Sequence, residues 1–192
     1  MKKILILLFS IFFLSSSSVF ADDISDFQIE GVRVGDSLLD YFSEEEILSN
    51  QRSYNEETKF ISSEFSINSS EYDALGIYYK SNDSKYKIYG VIGFIDYNAN
   101  NIKNCYKKSI EIMDSFEDLT NQNSWDFNEY QDEDGFFTFN FINLETGDIG
   151  INCYDWNFAV EKKLNWTDHL RISIFTYELT AWFNNIDTTY ND

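Results

Sequence analysis

Apolar residues change their spacing along this chain, and each change marks an element. The clearest run is 101–119. At about 100° per residue, Ile102, Cys105, Tyr106, Ser109, Ile112, Met113, Phe116 and Leu119 gather on one side. Lys103, Lys107, Lys108, Glu111, Asp114 and Asp118 take the other, with Ile110 at the margin. The pattern predicts an amphipathic helix lying on something apolar. Elsewhere the period is two. Strands are predicted near 58–67, 73–80 and 85–97; Leu75, Ile77 and Tyr79 share one side of the second, and Ser81-Asn82-Asp83-Ser84 joins it to the third as a hairpin. Two more, near 136–143 and 148–156, flank a turn at Glu145-Thr146-Gly147. Phe137, Phe139 and Phe141 share one face of the first; Ile149, Ile151 and Cys153 share one face of the second. A last strand, 169–177, buries Leu170, Ile172 and Ile174 and exposes His169, Arg171 and Ser173. A short helix near 178–186 then offers Leu179, Trp182 and Phe183 to the core.

At the other end, Phe27 to Val34 reads as a lead-in strand stopped by Gly35. Asp36 reads as the cap of a helical stretch with Leu38, Leu39 and Phe42 on one face, and Ser43 with Glu46 as a capping box opening a helix to Ser49. Residues 120–134 read as a polar loop. Gly90 and Gly93, inside a strand, signal a bulge or a close backbone approach. The expected architecture is one α+β domain over 22–192, an antiparallel sheet of about six strands packed against two or three helices. The order helix, three strands, helix, three strands fits a duplicated αβββ unit, although no residue-level repeat accompanies it.

Residues 1–21, MKKILILLFSIFFLSSSSVFA, stand apart from that pattern. A basic start at Lys2 and Lys3, an apolar run from Ile4 to Leu14 and a small-x-small site at Val19-Phe20-Ala21 describe a secretory signal cleaved after Ala21. The run is too short for a stable span, and no cysteine follows the cut to take a lipid. A soluble protein of the periplasm or the exterior is expected, without a membrane anchor.

Export changes the meaning of the two cysteines, Cys105 and Cys153. An isolated pair in an oxidising compartment is expected to form a disulfide; each lies on the apolar face of its predicted element. Their bond closes a loop worth about 4 kcal/mol in the chain-entropy model. Two thiols and one His are too few for a zinc site.

Charge narrows the partners. The chain carries −19, and −21 once Lys2 and Lys3 leave. Nucleic acid and anionic lipid are disfavoured, because their binding rests on Lys and Arg; basic proteins, cationic peptides and divalent cations are favoured. Codon bias explains much of the remaining composition: proline is absent and residues spelled by AT-rich codons abound, so the 18% aromatic content is weak evidence for sugar binding. The same bias does not explain the acidity, since lysine codons are AT-rich too.

No catalytic motif emerges. The single His169 has no G-x-S-x-G partner, and neither a P-loop nor a G-x-G-x-x-G turn occurs. Gln131-Asp132-Glu133-Asp134-Gly135 looks like half a calcium loop, but Tyr130 and Phe141 stand where an EF-hand needs its first and last ligands. A solvated loop is expected there, with a looser Ca²⁺ site from Glu129, Asp132 and Asp134 as the alternative. Glu44-Glu45-Glu46 suits a helix N-terminus. Carboxylate pairs of the glycosidase kind are spatial and leave no trace in sequence.

Asp26-Phe27-x-Ile29-x-Gly31-x-x-x-Gly35-Asp36-Ser37-Leu38-Leu39-Asp40-Tyr41-Phe42, followed by Glu44-Glu45-Glu46-Ile47, resembles the opening of small exported proteins from AT-rich bacterial genomes. Cys153-Tyr154-Asp155-Trp156 and Asp168-His169-Leu170-Arg171-Ile172-Ser173-Ile174 are similar to their end. The resemblance covers most of the chain after the signal and implies no activity. Helix-then-strands order also resembles the outer-membrane assembly lipoproteins of the SmpA type and the β-lactamase inhibitor domains. The lipid-bearing cysteine of those lipoproteins is missing, so that likeness is one of topology. The expected role is a non-catalytic binding or interaction module. The alternatives are an inhibitor or chaperone of a basic cell-envelope protein, and a carboxylate-based hydrolase.

Overall fold

The structure, a computed structural model, describes residues 23–52, 58–97, 101–120 and 125–187; residues 1–21, expected to be a signal, lie outside them. In chain order come α1 (Glu44–Ser49), β1 (Gln51–Arg52), β2 (Phe60–Ser66), β3 (Ala74–Lys80), β4 (Ile88–Tyr97) and α2 (Ile102–Thr120). Then follow β5 (Asp126–Gln131), β6 (Gly135–Asn143), β7 (Gly147–Trp156), α3 (Phe158–Leu164), β8 (Asp168–Thr176) and α4 (Tyr177–Asp187). The fold is α+β, as expected, but the described residues hold eight strands in place of about six and four α-helices in place of two or three. The additions share a physical cause. β5 lies wholly exposed and α3 buries no residue, so neither leaves a hydrophobic period to read; β1 has only two residues.

All eight strands form one antiparallel sheet in the order β1-β2-β3-β4-β8-β7-β6-β5. Two four-stranded meanders therefore meet at β4 and β8, each preceded by a helix. Ile47 of α1 and Cys105 of α2 belong to the same core, so both helices cover the same side of the sheet. There Leu75, Ile77, Val91, Ile151, Leu170 and Ile174 share one core with the apolar face of α2. Ser109 is buried with that face, and Ile110 is 54% exposed, as the helical period requires. The Leu119 side chain lies outside the described positions.

On the opposite side, α4 covers only one end. Leu179, Trp182 and Phe183 pack with Phe60, Tyr78, Ile92 and Phe175 in a second, smaller core. Glu178 holds Lys59 and Lys80, each at 3.0 Å. The Thr180 hydroxyl donates to Asp148 Oδ2 at 2.6 Å, and the Tyr177 hydroxyl to the Leu144 carbonyl at 2.6 Å. The two strand glycines mark close approach on both sides: a Cβ on Gly90 would run into Leu179 and Phe175, and one on Gly93 into the Tyr72 ring.

Two N-terminal expectations are corrected. Residues 27–34 form no strand; Glu30 and Gly31 both take positive φ (51° and 82°), and the chain reverses so that Ile29 and Val32 pair with each other. Ser37, not Asp36, caps the next turn, a 3₁₀ segment at Leu38–Asp40, while Asp36 accepts the Tyr41 hydroxyl at 2.5 Å. The capping box of Ser43 and Glu46 forms as expected.

Candidate functional site: an aromatic groove on the open side of the sheet

Residues paired across antiparallel strands point to the same side. Phe94 pairs with Arg171, Asp96 with His169 and His169 with Tyr154. This row stands opposite α2, beyond the end that α4 covers. Together with Trp156 and the loop carrying Trp166 it walls a groove of about 590 Å³. The β1–β3 meander closes the far side with Arg52, Glu64 and Gly76.

The rings are ordered. Tyr154 stacks on His169 with centroids 4.7 Å apart and planes 17° from parallel, and Trp156 lies 25° from Tyr154. Neighbours stacked along the strand-to-strand direction must stand upright on the sheet. Phe94 is turned 70° from His169 and leans over Gly76, where a Cβ would come within 3.3 Å of its ring. Glycine at 76 therefore lets Phe94 lie down as a floor. Trp166 closes the row against Trp156 at 4.5 Å. Its loop is held by α3, capped at the start by Asn157 and at the end by Asn165 in the left-handed conformation.

Charge in the groove is mixed. Arg52 and Arg171 are two of only three arginines in the chain. Arg171 Nη1 donates to the Tyr154 hydroxyl at 3.3 Å, and its guanidinium lies 5.6 Å from the Phe175 ring centre. Burial pushes the Asp96 carboxyl above the usual carboxylate range, and the charges of Asp73 and Glu64 push it further. His169, expected on an exposed face, is half-buried. Its Nδ1–H donates to the Thr167 carbonyl at 2.8 Å, and burial lowers its pKa, which favours the neutral ring. The Trp156 indole N–H is shielded from solvent and has no acceptor among the described residues.

Apart from His169, which lines the groove, the candidate site residues named from sequence lie elsewhere. The sulfurs of Cys105 and Cys153 are 2.01 Å apart, beneath α2 and on the side away from the groove. Glu129 sits on β5; Asp132 spends Oδ1 on the backbone N–H groups of Asp134 and Gly135. Among the described residues no three His, Cys, Asp or Glu side chains converge as metal ligands. Sequence reasoning missed the groove. Alternation in Tyr154-x-Trp156 and His169-x-Arg171 was the available signal, but only the strand pairing joins them to Phe94 and Asp96.

Comparison with models of protein families, with curated proteins and with solved structures gives no match. Among the described residues no helix is long and apolar enough to cross a membrane.

Proposed function

We propose that this protein is a non-catalytic binding module of the periplasm or the cell exterior, holding a small zwitterionic ligand in the groove. The observation that carries the reading is the groove itself. Its volume lies in the range of small-molecule sites, and it sets an aromatic floor and wall between groups of both signs. In a chain of net charge −19, two of three arginines line it. Export after Ala21 is supported by the cysteine pair at disulfide distance. The mirrored strand order, each half opened by a helix on the same side, supports duplication of a helix-plus-strands unit.

Two of the four tryptophans line the groove, so fluorescence titration with free amino acids and dipeptides tests the reading. Saturable change is expected, and Gly76→Leu, which displaces the Phe94 floor, is expected to remove it. Flat titrations with every zwitterion tried, or unaltered binding by G76L, count against the groove.

One observation favours a second reading, a carboxylate-based hydrolase. Glu64 and Asp96 face the same groove, and Glu64 helps hold the Asp96 proton, as a general acid requires. Turnover of a glycoside or ester that both Glu64→Gln and Asp96→Asn abolish would replace the binding reading.

A further inference from the structure

β5 ends the sheet. All six of its residues are exposed, and it pairs in unbroken register with β6 alone. Among the described residues no strand lies on its outer edge. Such an edge presents unpaired N–H and C=O groups, and proteins usually blunt it with lysine, proline, a bulge or brevity. β5 has neither lysine nor proline, and six residues. Phe127 and Tyr130, on its two opposite faces, are 59% and 55% exposed.

Charge says what fits. Asp126 and Glu129 lie on the strand, and Asp132, Glu133 and Asp134 in the turn that follows. No lysine or arginine occurs between Lys108 and Lys162. The field is felt locally: Asp132 foremost, then Asp134, pushes the Tyr130 hydroxyl pKa up. A second copy of the chain is therefore a poor occupant, because self-pairing brings the carboxylates of 126–134 of both copies together with no lysine or arginine between 108 and 162 to offset them.

We propose that β5 is the docking edge for an extended basic segment of another protein, which adds to the sheet as a further strand. Its backbone completes the ladder, its lysines or arginines face the carboxylates of 126–134, and its apolar side chains cover Phe127 and Tyr130. The site shares no lining residue with the groove and stands or falls independently of it.

A capped peptide alternating lysine with valine is the probe, titrated at low and raised salt, with hydrogen exchange followed along the chain. Saturable binding is expected, with slowed exchange at the amides of 126–131. Raised salt should weaken it by about tenfold, and the double variant Asp126→Lys/Glu129→Lys by at least as much. Phe127→Ser, which leaves the charge intact, should weaken it severalfold. Protection confined to other segments, unchanged affinity in the charge-reversed variant, or equal binding of a lysine–glycine peptide overturns the proposal.

Discussion

The two sides of the sheet use the same strands for different ends. On the side of α1 and α2, alternate positions carry Leu75, Ile77, Val91, Ile151, Leu170 and Ile174, and residues of both helices complete that core. On the other side the intervening positions carry rings, arginine, histidine and carboxylates, and α4 seals only one end. Burial of aliphatic area is non-directional and roughly additive, so the α2 side supplies stability without specifying a ligand. Upright rings and charges left half-covered supply little stability but fix geometry. The division teaches where a substitution will be felt: as unfolding on one side, as lost binding on the other.

The cysteine pair offers the largest break. Replacing Cys105 and Cys153 with serine is expected to cost about 4 kcal/mol, read as a fall in the urea midpoint; a loss under about 1 kcal/mol means that the α2 side stands without the bond. Next is Ile151→Ala, fully buried under α2, with a loss of about 3 kcal/mol and little change in groove fluorescence.

Asp168 sharpens the comparison, being a polar group on the aliphatic side. It is fully buried, its Oδ1 accepts the backbone N–H of Trp156 at 2.8 Å, and burial raises its pKa to about 6. Between its ordinary value near 4 and about 6, the folded protein holds this proton and the unfolded chain does not. Stability should therefore fall as pH rises through that window. Asp168→Asn keeps an acceptor for Trp156 and should gain on the order of 1–2 kcal/mol at neutral pH, with a flatter pH profile. A profile unchanged by this variant refutes the assignment.

The smallest stability effect belongs to the groove. Trp166 is 48% exposed, and Trp166→Ala should move stability by no more than about 1 kcal/mol while ligand affinity drops. If the melting temperature falls as far as in Ile151→Ala, the rings are core after all.

Legibility in the sequence followed this same division. Sidedness was readable wherever one face is buried against aliphatic residues: the α2 stripe, the strands around Leu75-x-Ile77 and Leu170-x-Ile172, and the capping box at Ser43 all form where the spacing placed them. β5 and α3 left no signal, because amphipathic period exists only when burial is one-sided. The groove was hidden for another reason. Codon bias spreads aromatic residues along the whole chain, and their clustering at Phe94, Tyr154, Trp156 and Trp166 is a product of register between β4, β8 and β7.

The cross-link between α2 and β7 has one more consequence. With Cys105 bonded to Cys153, residues 105–153 become a covalent ring that contains all of β5 and β6. A protease that cuts inside this ring leaves one molecule until a reductant is added. A cut between β2 and β3, or in the loop before β8, frees a fragment as soon as the sheet opens. On the proposed export of the chain, proteases are met routinely; the ring encloses the most exposed of the described strands, so damage there need not mean dismemberment.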